Sequence, residues 1–107
     1  MERQDILPIG TVLYINESLK KVMIIGRKLM KEKNGKNYYF DYTGCLFPEG
    51  IVGEEVLFFN EDDISDIVHL GLIDADEKEV VKRLKDWEMS TTVIQATKET
   101  FKDGREE

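Results

Sequence analysis

The dipeptide Asn34-Gly35 constrains this chain more than any other feature, because it lies between two runs that both favour β-strand. Asn-Gly readily adopts the positive φ angles that a tight hairpin turn requires. Residues 20–27 hold a core of consecutive apolar side chains, which is typical of a central strand. Residues 38–42 are predicted to return beside them. Alternation along that return strand places Tyr38, Phe40 and Tyr42 on one face, and Tyr39 and Asp41 on the other.

Three more short runs, residues 11–15, 56–59 and 67–70, are rich in β-branched, aromatic or other large apolar side chains and are interpreted as further strands. Residues in the middle of the strands have few polar neighbours and are predicted to form the core. These core residues are Val12, Val22, Ile24, Phe40, Phe58 and Val68.

Helix signals occur at two places after the strand-like runs begin. Asn60 followed by three acidic residues predicts one helical turn, since acids are favoured at the positive end of a helix dipole. Asp74 and Glu77 have the spacing of a capping box and predict the start of the main helix. The apolar stripe of that helix consists of Val80, Val81, Leu84 and Trp87. We expect the stripe to pack on the sheet, with packing on a partner as the alternative.

The C-terminal segment carries a sparser apolar pattern. Val93, Ile94 and Phe101 fit one face of a second helix capped by Ser90. The fold class predicted is α+β: a small antiparallel β-sheet or partly open barrel of about five strands, followed by one or two C-terminal helices. Residues 1–88 are expected to form a β-rich domain with a packed helix, and 89–107 a helical extension or tail.

Charge is unevenly distributed along the 107 residues, whose net charge is −7. Residues 1–36 carry a net charge of +4, whereas residues 37–77 hold eleven acidic residues and no Lys or Arg. Such a block argues against binding of nucleic acid, because that affinity comes largely from Lys and Arg. It favours a basic protein partner, although solubilising surface charge explains it as well.

Catalytic and metal-binding patterns were sought, and none was found. The single histidine, His69, lies within an apolar run, and the sequence does not place it beside the single cysteine, Cys45. Paired cysteines with zinc spacing do not occur, and no glycine-rich run is followed by the Lys-Ser/Thr of a phosphate loop. We therefore expect no enzyme activity and no cofactor. No run is apolar enough to span a bilayer, so a cytoplasmic protein is expected.

Four stretches together resemble a known family: residues 7–12, 22–27, 42–50 and 57–64, the third containing Gly44-Cys45-Leu46-Phe47-Pro48-Glu49-Gly50. The family consists of small proteins of unknown function from Gram-positive bacteria, commonly encoded beside type VII secretion genes and their LXG-type toxins. The resemblance covers roughly residues 6–87. It implies an accessory role in that system and carries no catalytic residue.

The resulting hypothesis is a non-enzymatic chaperone or adaptor that binds a type VII secretion toxin or one of its small helical partners, with homodimerisation as a further expectation. An immunity protein that neutralises a toxin is the alternative. A nucleic-acid-binding regulator that uses Lys20, Lys21, Arg27, Lys28, Lys31, Lys33 and Lys36 is less favoured. The partner-binding residues are predicted to be Glu54, Glu55, Glu61, Asp62, Asp63, Asp66, Val93, Ile94 and Phe101. The predictions include no nucleic-acid partner and no membrane partner.

Overall fold

The computed structural model describes residues 6–16, 18–97 and 99–100. Its strands are β1 (Val12–Ile15), β2 (Lys21–Lys33), β3 (Lys36–Phe47), β4 (Leu57–Phe59), β5 (Ile64–His69) and β6 (Ile94–Gln95). A 3-10 turn, Glu61–Asp63, separates β4 from β5, and one α-helix, α1 (Ala75–Ser90), precedes β6. The structure confirms the predicted α+β class, with an antiparallel sheet followed by a helix.

The long hairpin of β2 and β3 is the centre of the sheet. Asn34 and Gly35 have φ angles of +55° and +80°, which are the positive values expected of a tight turn. Antiparallel pairing runs from Lys33 opposite Lys36 to Lys21 opposite Phe47, with one irregularity between Ile24 and Gly26. The hairpin thus supplies a pairing partner for β1, β4 and β6, whereas β5 pairs with β1.

The strand order is β4-β3-β2-β1-β5, and β6 pairs with β3. β2 pairs with one edge of β3. Both β4 and β6 pair with the other edge: β4 lies beside Tyr42–Gly44, and β6 lies beside Tyr38–Tyr39. β4 and β5 lie at opposite ends of the order, yet only residues 60–63 join them. The five Cα–Cα steps from Phe59 to Ile64 reach at most about 18 Å when extended, and the 3-10 turn shortens them further. The sheet must therefore curl until its ends approach. It stays open, without closing into a barrel.

The core lies inside this curl. Its buried members are Leu7, Leu13, Val22, Ile24, Tyr42 and Phe59. Of the predicted core residues, Val12, Val22, Ile24 and Phe40 are buried, and Phe58 is half-buried.

The prediction for Val68 is wrong, because 52% of this residue is exposed. Val12 pairs with His69 and Leu13 with Ile67, so Val68 falls in a register shift of β5. β5 is also the last strand of the order, and an irregularity there turns a side chain outward.

Helix α1 begins where the capping pattern predicts. Asp74 is its N-cap, and the Asp74 side chain accepts a hydrogen bond of 2.9 Å from the backbone N–H of Glu77. Val81, Leu84 and Trp87 are half-buried, and the ring of Trp87 meets that of Tyr39 edge-on at 5.0 Å between centroids. The stripe therefore packs on the sheet only in part.

The predicted second helix is wrong for the described residues. α1 continues through Ser90, and the chain then extends so that Ile94 and Gln95 form a parallel strand beside β3. The backbone N–H of Ala96 donates to the carbonyl oxygen of Tyr39 at 2.7 Å. Pairing with a strand more than fifty residues away overrides the weak local helical pattern. Phe101 lies outside the described residues.

Candidate functional site

Asn60, which follows β4, holds the C-terminal segment against the sheet. Its Nδ2 donates to the carbonyl oxygen of Ala96 at 2.8 Å. Its Oδ1 accepts from the Gln95 side chain at 3.0 Å and from the backbone N–H of Asp41 at 2.9 Å. One side chain thereby connects β3 and β6 with the beginning of the 3-10 turn.

Asp41 on β3 completes this polar network. Its Oδ2 accepts from the backbone N–H of Glu61 at 2.9 Å, which satisfies a donor at the start of the turn. Its Oδ1 accepts from Nζ of Lys28 at 2.9 Å. Burial alone lowers the pKa of Lys28, but Asp41 and Glu88 outweigh it, so the pKa is raised overall. The Lys28 cation stays charged and largely neutralises Asp41.

A cleft of about 500 Å³ opens between the 3-10 turn and the segment that contains β6. We call it the acidic cleft. Its walls are formed by Asp41, Asn60, Asp62, Asp63, Gln95, Ala96, Thr97 and Glu99. Asp63 accepts a hydrogen bond of 2.9 Å from the backbone N–H of Asn60, whereas the Asp62 residue is exposed. Since Asp41 is neutralised internally, Asp62, Asp63 and Glu99 give the cleft its negative charge.

The structure brings together two of the predicted binding elements. Asp62 and Asp63 come from the acidic block, and they face the same cleft as the residues that directly follow Ile94. Ile94 itself is 50% exposed on β6. The acidic turn and the C-terminal segment thus form one surface.

The remaining predicted residues lie elsewhere. Glu54 and Glu55 are exposed in the loop before β4, and Asp66 is exposed on β5 opposite Tyr14. Val93 is half-buried between α1 and β6. Phe101 cannot be placed, because it is outside the described residues.

Glu61 faces the core side of the turn. Its Oε1 accepts a hydrogen bond of 3.1 Å from the hydroxyl of Tyr42, which in turn accepts from the backbone N–H of Leu7 at 3.0 Å. Burial raises the pKa of Tyr42; the Leu7 N–H opposes this rise and the Glu61 carboxylate adds to it. We therefore interpret Glu61 as a structural residue that fixes the turn to the N-terminal segment.

Sequence reasoning missed the residues that build the cleft. Asn60 was recognised only as a helix cap, Asp41 only as the polar member of an alternating strand, and Gln95 not at all. Asp41 and Asn60 are nineteen residues apart, and their contact depends on how β4 is registered against β3. An unusual acid within the aromatic run of β3 was the one signal that could have marked Asp41.

His69 and Cys45 lie on one row of paired residues that crosses four strands. Cys45 is opposite Met23, Met23 is opposite Val12, and Val12 is opposite His69. Three strand spacings separate the two backbones by roughly 14 Å, so the thiol and the imidazole do not form a catalytic pair. Among the described residues, no cluster of three His, Cys, Asp or Glu side chains has the geometry to hold a metal ion.

Several basic side chains of the first block are used within the fold. Arg27 donates to Glu77 on α1 at 3.1 Å, and only 8% of the Arg27 side chain is exposed. Lys28 pairs with Asp41 and with Glu88 at 3.2 Å. Lys20 pairs with Glu49. Arg27 and Lys28 are therefore not on the surface where phosphate groups could reach them.

Comparison with known proteins gives a family. The model of a domain of unknown function, DUF4176, matches residues 6–80. No curated protein and no solved structure matches the chain. Within the part of the chain that the structure describes, no helix is both long and apolar enough to cross a lipid bilayer.

Proposed function

The chain belongs to the DUF4176 family of domains of unknown function, and on that premise we propose that it is a non-enzymatic, cytoplasmic accessory protein that binds a protein partner. The acidic cleft supports this proposal. It is an open concave surface whose walls come from the turn after β4 and from the segment around β6, and its partner contacts would be made by Asp62 and Asp63.

The chemistry of the cleft defines the partner. Exposed carboxylates attract Lys and Arg and speed association with a basic surface. Ile94 is 50% exposed, but it precedes the cleft-lining Gln95 in β6, so its side chain lies on the opposite face of the strand. A segment rich in Lys and Arg would complement the carboxylates of the cleft.

The resemblance described above supplies the biological context of the proposal. Family members are commonly encoded beside type VII secretion genes and LXG-type toxins. We therefore propose that the partner is such a toxin or one of its small helical partners, and that the chain acts as its chaperone or adaptor before export.

Co-expression with the toxin encoded nearby, followed by pull-down, tests this role. We expect a stable complex with the wild-type chain and a weaker one with Asp62→Lys, because Asp62 is exposed and lines the acidic cleft, so the change reverses a charge at the proposed contact. Asp86→Lys is the matched control, since Asp86 is exposed on α1 and does not line the cleft. Absence of a complex at micromolar concentration, or equal loss in both variants, would argue against the cleft.

An immunity protein is the second candidate, because the same acidic cleft suits a basic toxin domain. Protection separates the two roles. Rescue of cells that express the toxin domain alone, lost in Asp62→Lys, would favour immunity. Binding restricted to the N-terminal targeting region of the toxin would favour the adaptor.

A further inference from the structure

A second concave surface lies beside α1. One side is formed by the helix, and the other by Ile6 before β1 and Ile73 before the helix. Val81 contributes from the helix, and the groove has a volume of about 340 Å³. We call this surface the helix groove. It shares no lining residue with the acidic cleft.

Apolar surface in the helix groove remains open to water. None of the residues of α1 is fully buried, Val81 is half-buried, and Ile73 is 47% exposed. Covering apolar area of this kind releases water and is favourable. Amphipathic segments bind in grooves of this kind by laying their apolar side chains against the open surface.

The rim of the helix groove is positive although the chain as a whole is acidic. Lys78 and Lys82 are exposed and, within the described part of the chain, neither forms an ion pair. Lys85 lies on the same stripe of the helix. The acid that lines the groove, Glu77, is already paired with Arg27.

Two lysines at positions i and i+4 repel each other and weaken the helix itself. A ligand with negative charge would remove the repulsion.

We propose that the helix groove binds an acidic amphipathic segment of a partner protein. Its apolar side chains would cover Ile6, Ile73 and Val81, and its carboxylates would pair with Lys78 and Lys82. A twofold-related second copy is disfavoured as the occupant, since an isologous contact would set these lysines against each other. This site goes beyond the acidic cleft, because it selects a partner segment of the opposite charge.

The experiment is a selection from a displayed library of random peptides about 16 residues long, which corresponds to about four helical turns. The full-length chain is the bait. The most enriched peptide is then synthesised, and its Kd is measured by fluorescence anisotropy. Variants are Lys78→Glu with Lys82→Glu, the neutral pair Lys78→Gln with Lys82→Gln, a control with Lys31→Glu and Lys36→Glu at the exposed end of the hairpin, and Asp62→Lys in the acidic cleft.

We expect enriched peptides that are acidic, with apolar residues at helical spacing. The Glu pair should weaken binding about tenfold or more, the Gln pair less, and the hairpin control and Asp62→Lys should have no effect. Affinity should fall as salt rises. Circular dichroism checks that α1 is retained in each variant.

Four results would overturn the proposal. In the first, the library yields no enriched peptide, or only peptides that are not acidic. In the second, the variant with Lys78→Glu and Lys82→Glu binds the peptide as tightly as the wild-type chain. Alternatively, sedimentation shows a dimer that the Glu pair dissociates, which would make a second copy the occupant. Loss of binding in Asp62→Lys alone would assign the peptide to the acidic cleft and leave the helix groove without a ligand.

Discussion

Lys28 and Asp41 form a buried ion pair, with 2.9 Å between Nζ and Oδ1 and with 6% and 13% of their side chains exposed. Removing Asp41 leaves the buried Lys28 cation with Glu88, at 3.2 Å and 40% exposed, as its remaining ion-pair partner among the described residues. We expect Asp41→Ala to lower the free energy of unfolding by about 3 kcal/mol, since it also removes the acceptor for the Glu61 N–H. Urea denaturation measures the change.

The exposed pair of Lys20 and Glu49 is the control for that measurement. Its side chains are 54% and 40% exposed, and Glu49→Gln should cost far less stability than Asp41→Ala, because solvent screens an exposed ion pair. Similar losses at both sites would show that Asp41 is not an important link in the fold.

Ile24→Ala should destabilise the chain by about 2 to 5 kcal/mol. Ile24 is fully buried in the centre of β2, and its truncation leaves a cavity among well-packed side chains. Val68→Ala, on the exposed side of β5, should change stability by no more than about 0.5 kcal/mol. A loss of less than about 0.5 kcal/mol for Ile24→Ala would mean that Ile24 does not lie in the packed centre of the sheet.

Alkaline pH should destabilise the fold. The pKa values of Tyr42 and Lys28 are raised above their ordinary values of 10.0 and 10.5. Their contribution is therefore fully present below about pH 10 and is lost as the pH rises through the folded-state pKa values. Thermal melts from about pH 8 to about pH 11 should show a falling Tm, and Tyr42→Phe should have a shallower decline. A Tm that stays level over this range contradicts the expectation.

Gly71→Ala should be poorly tolerated. A Cβ atom there would lie 2.2 Å from the carbonyl oxygen of Ile9, a backbone atom that cannot rotate away. We expect a loss of about 3 kcal/mol, the upper end of overpacking costs. At Gly26 the nearest atom is the end of the Leu29 side chain at 3.0 Å, which can move. Gly26→Ala should consequently be milder in the same denaturation assay.

Removing residues 93–107 should lower stability as well as partner binding. The truncation deletes β6 and leaves Asn60 without its bonds to Gln95 and Ala96. A loss of about 1 kcal/mol corresponds to a Tm lower by about 4 to 8 °C in a domain of this size. From the sequence alone, a cut after Met89 is predicted to leave the β-rich body folded and to weaken self-association or partner binding, with packing of Phe101 on the sheet as the alternative. An unchanged Tm would restore that interpretation.

Local signals in the sequence predicted the elements that depend on local chemistry. The positive φ angles at Asn34 and Gly35 and the cap at Asp74 are set by neighbouring residues, so they could be read directly. The return strand was predicted over residues 38–42, which lie within the longer β3 (Lys36–Phe47). However, Tyr39, which lies on the face opposite to Tyr42, is also buried, because Trp87 of α1 packs on it.

Contacts between distant segments could not be predicted in the same way. No sequence pattern near Val68 indicates the register shift between β5 and β1. No pattern near Ile94 indicates that the edge of β3 at Tyr38 and Tyr39 is available for pairing. The acidic cleft depends on both the turn after β4 and that pairing. Its charge was therefore predictable from the sequence, whereas its shape was not.

The curl that brings β4 and β5 together also bears on the order in which the chain folds. β2 and β3 are joined by a two-residue turn, whereas Leu13 on β1 and Ile67 on β5 are about fifty residues apart. Closing a long loop costs entropy before its contacts form. We expect the hairpin to be structured in the transition state, with φ-values that are high for Phe40 and low for Ile67. Because β5 docks late, its open edge would be exposed during refolding, which makes that strand the segment most prone to aggregate.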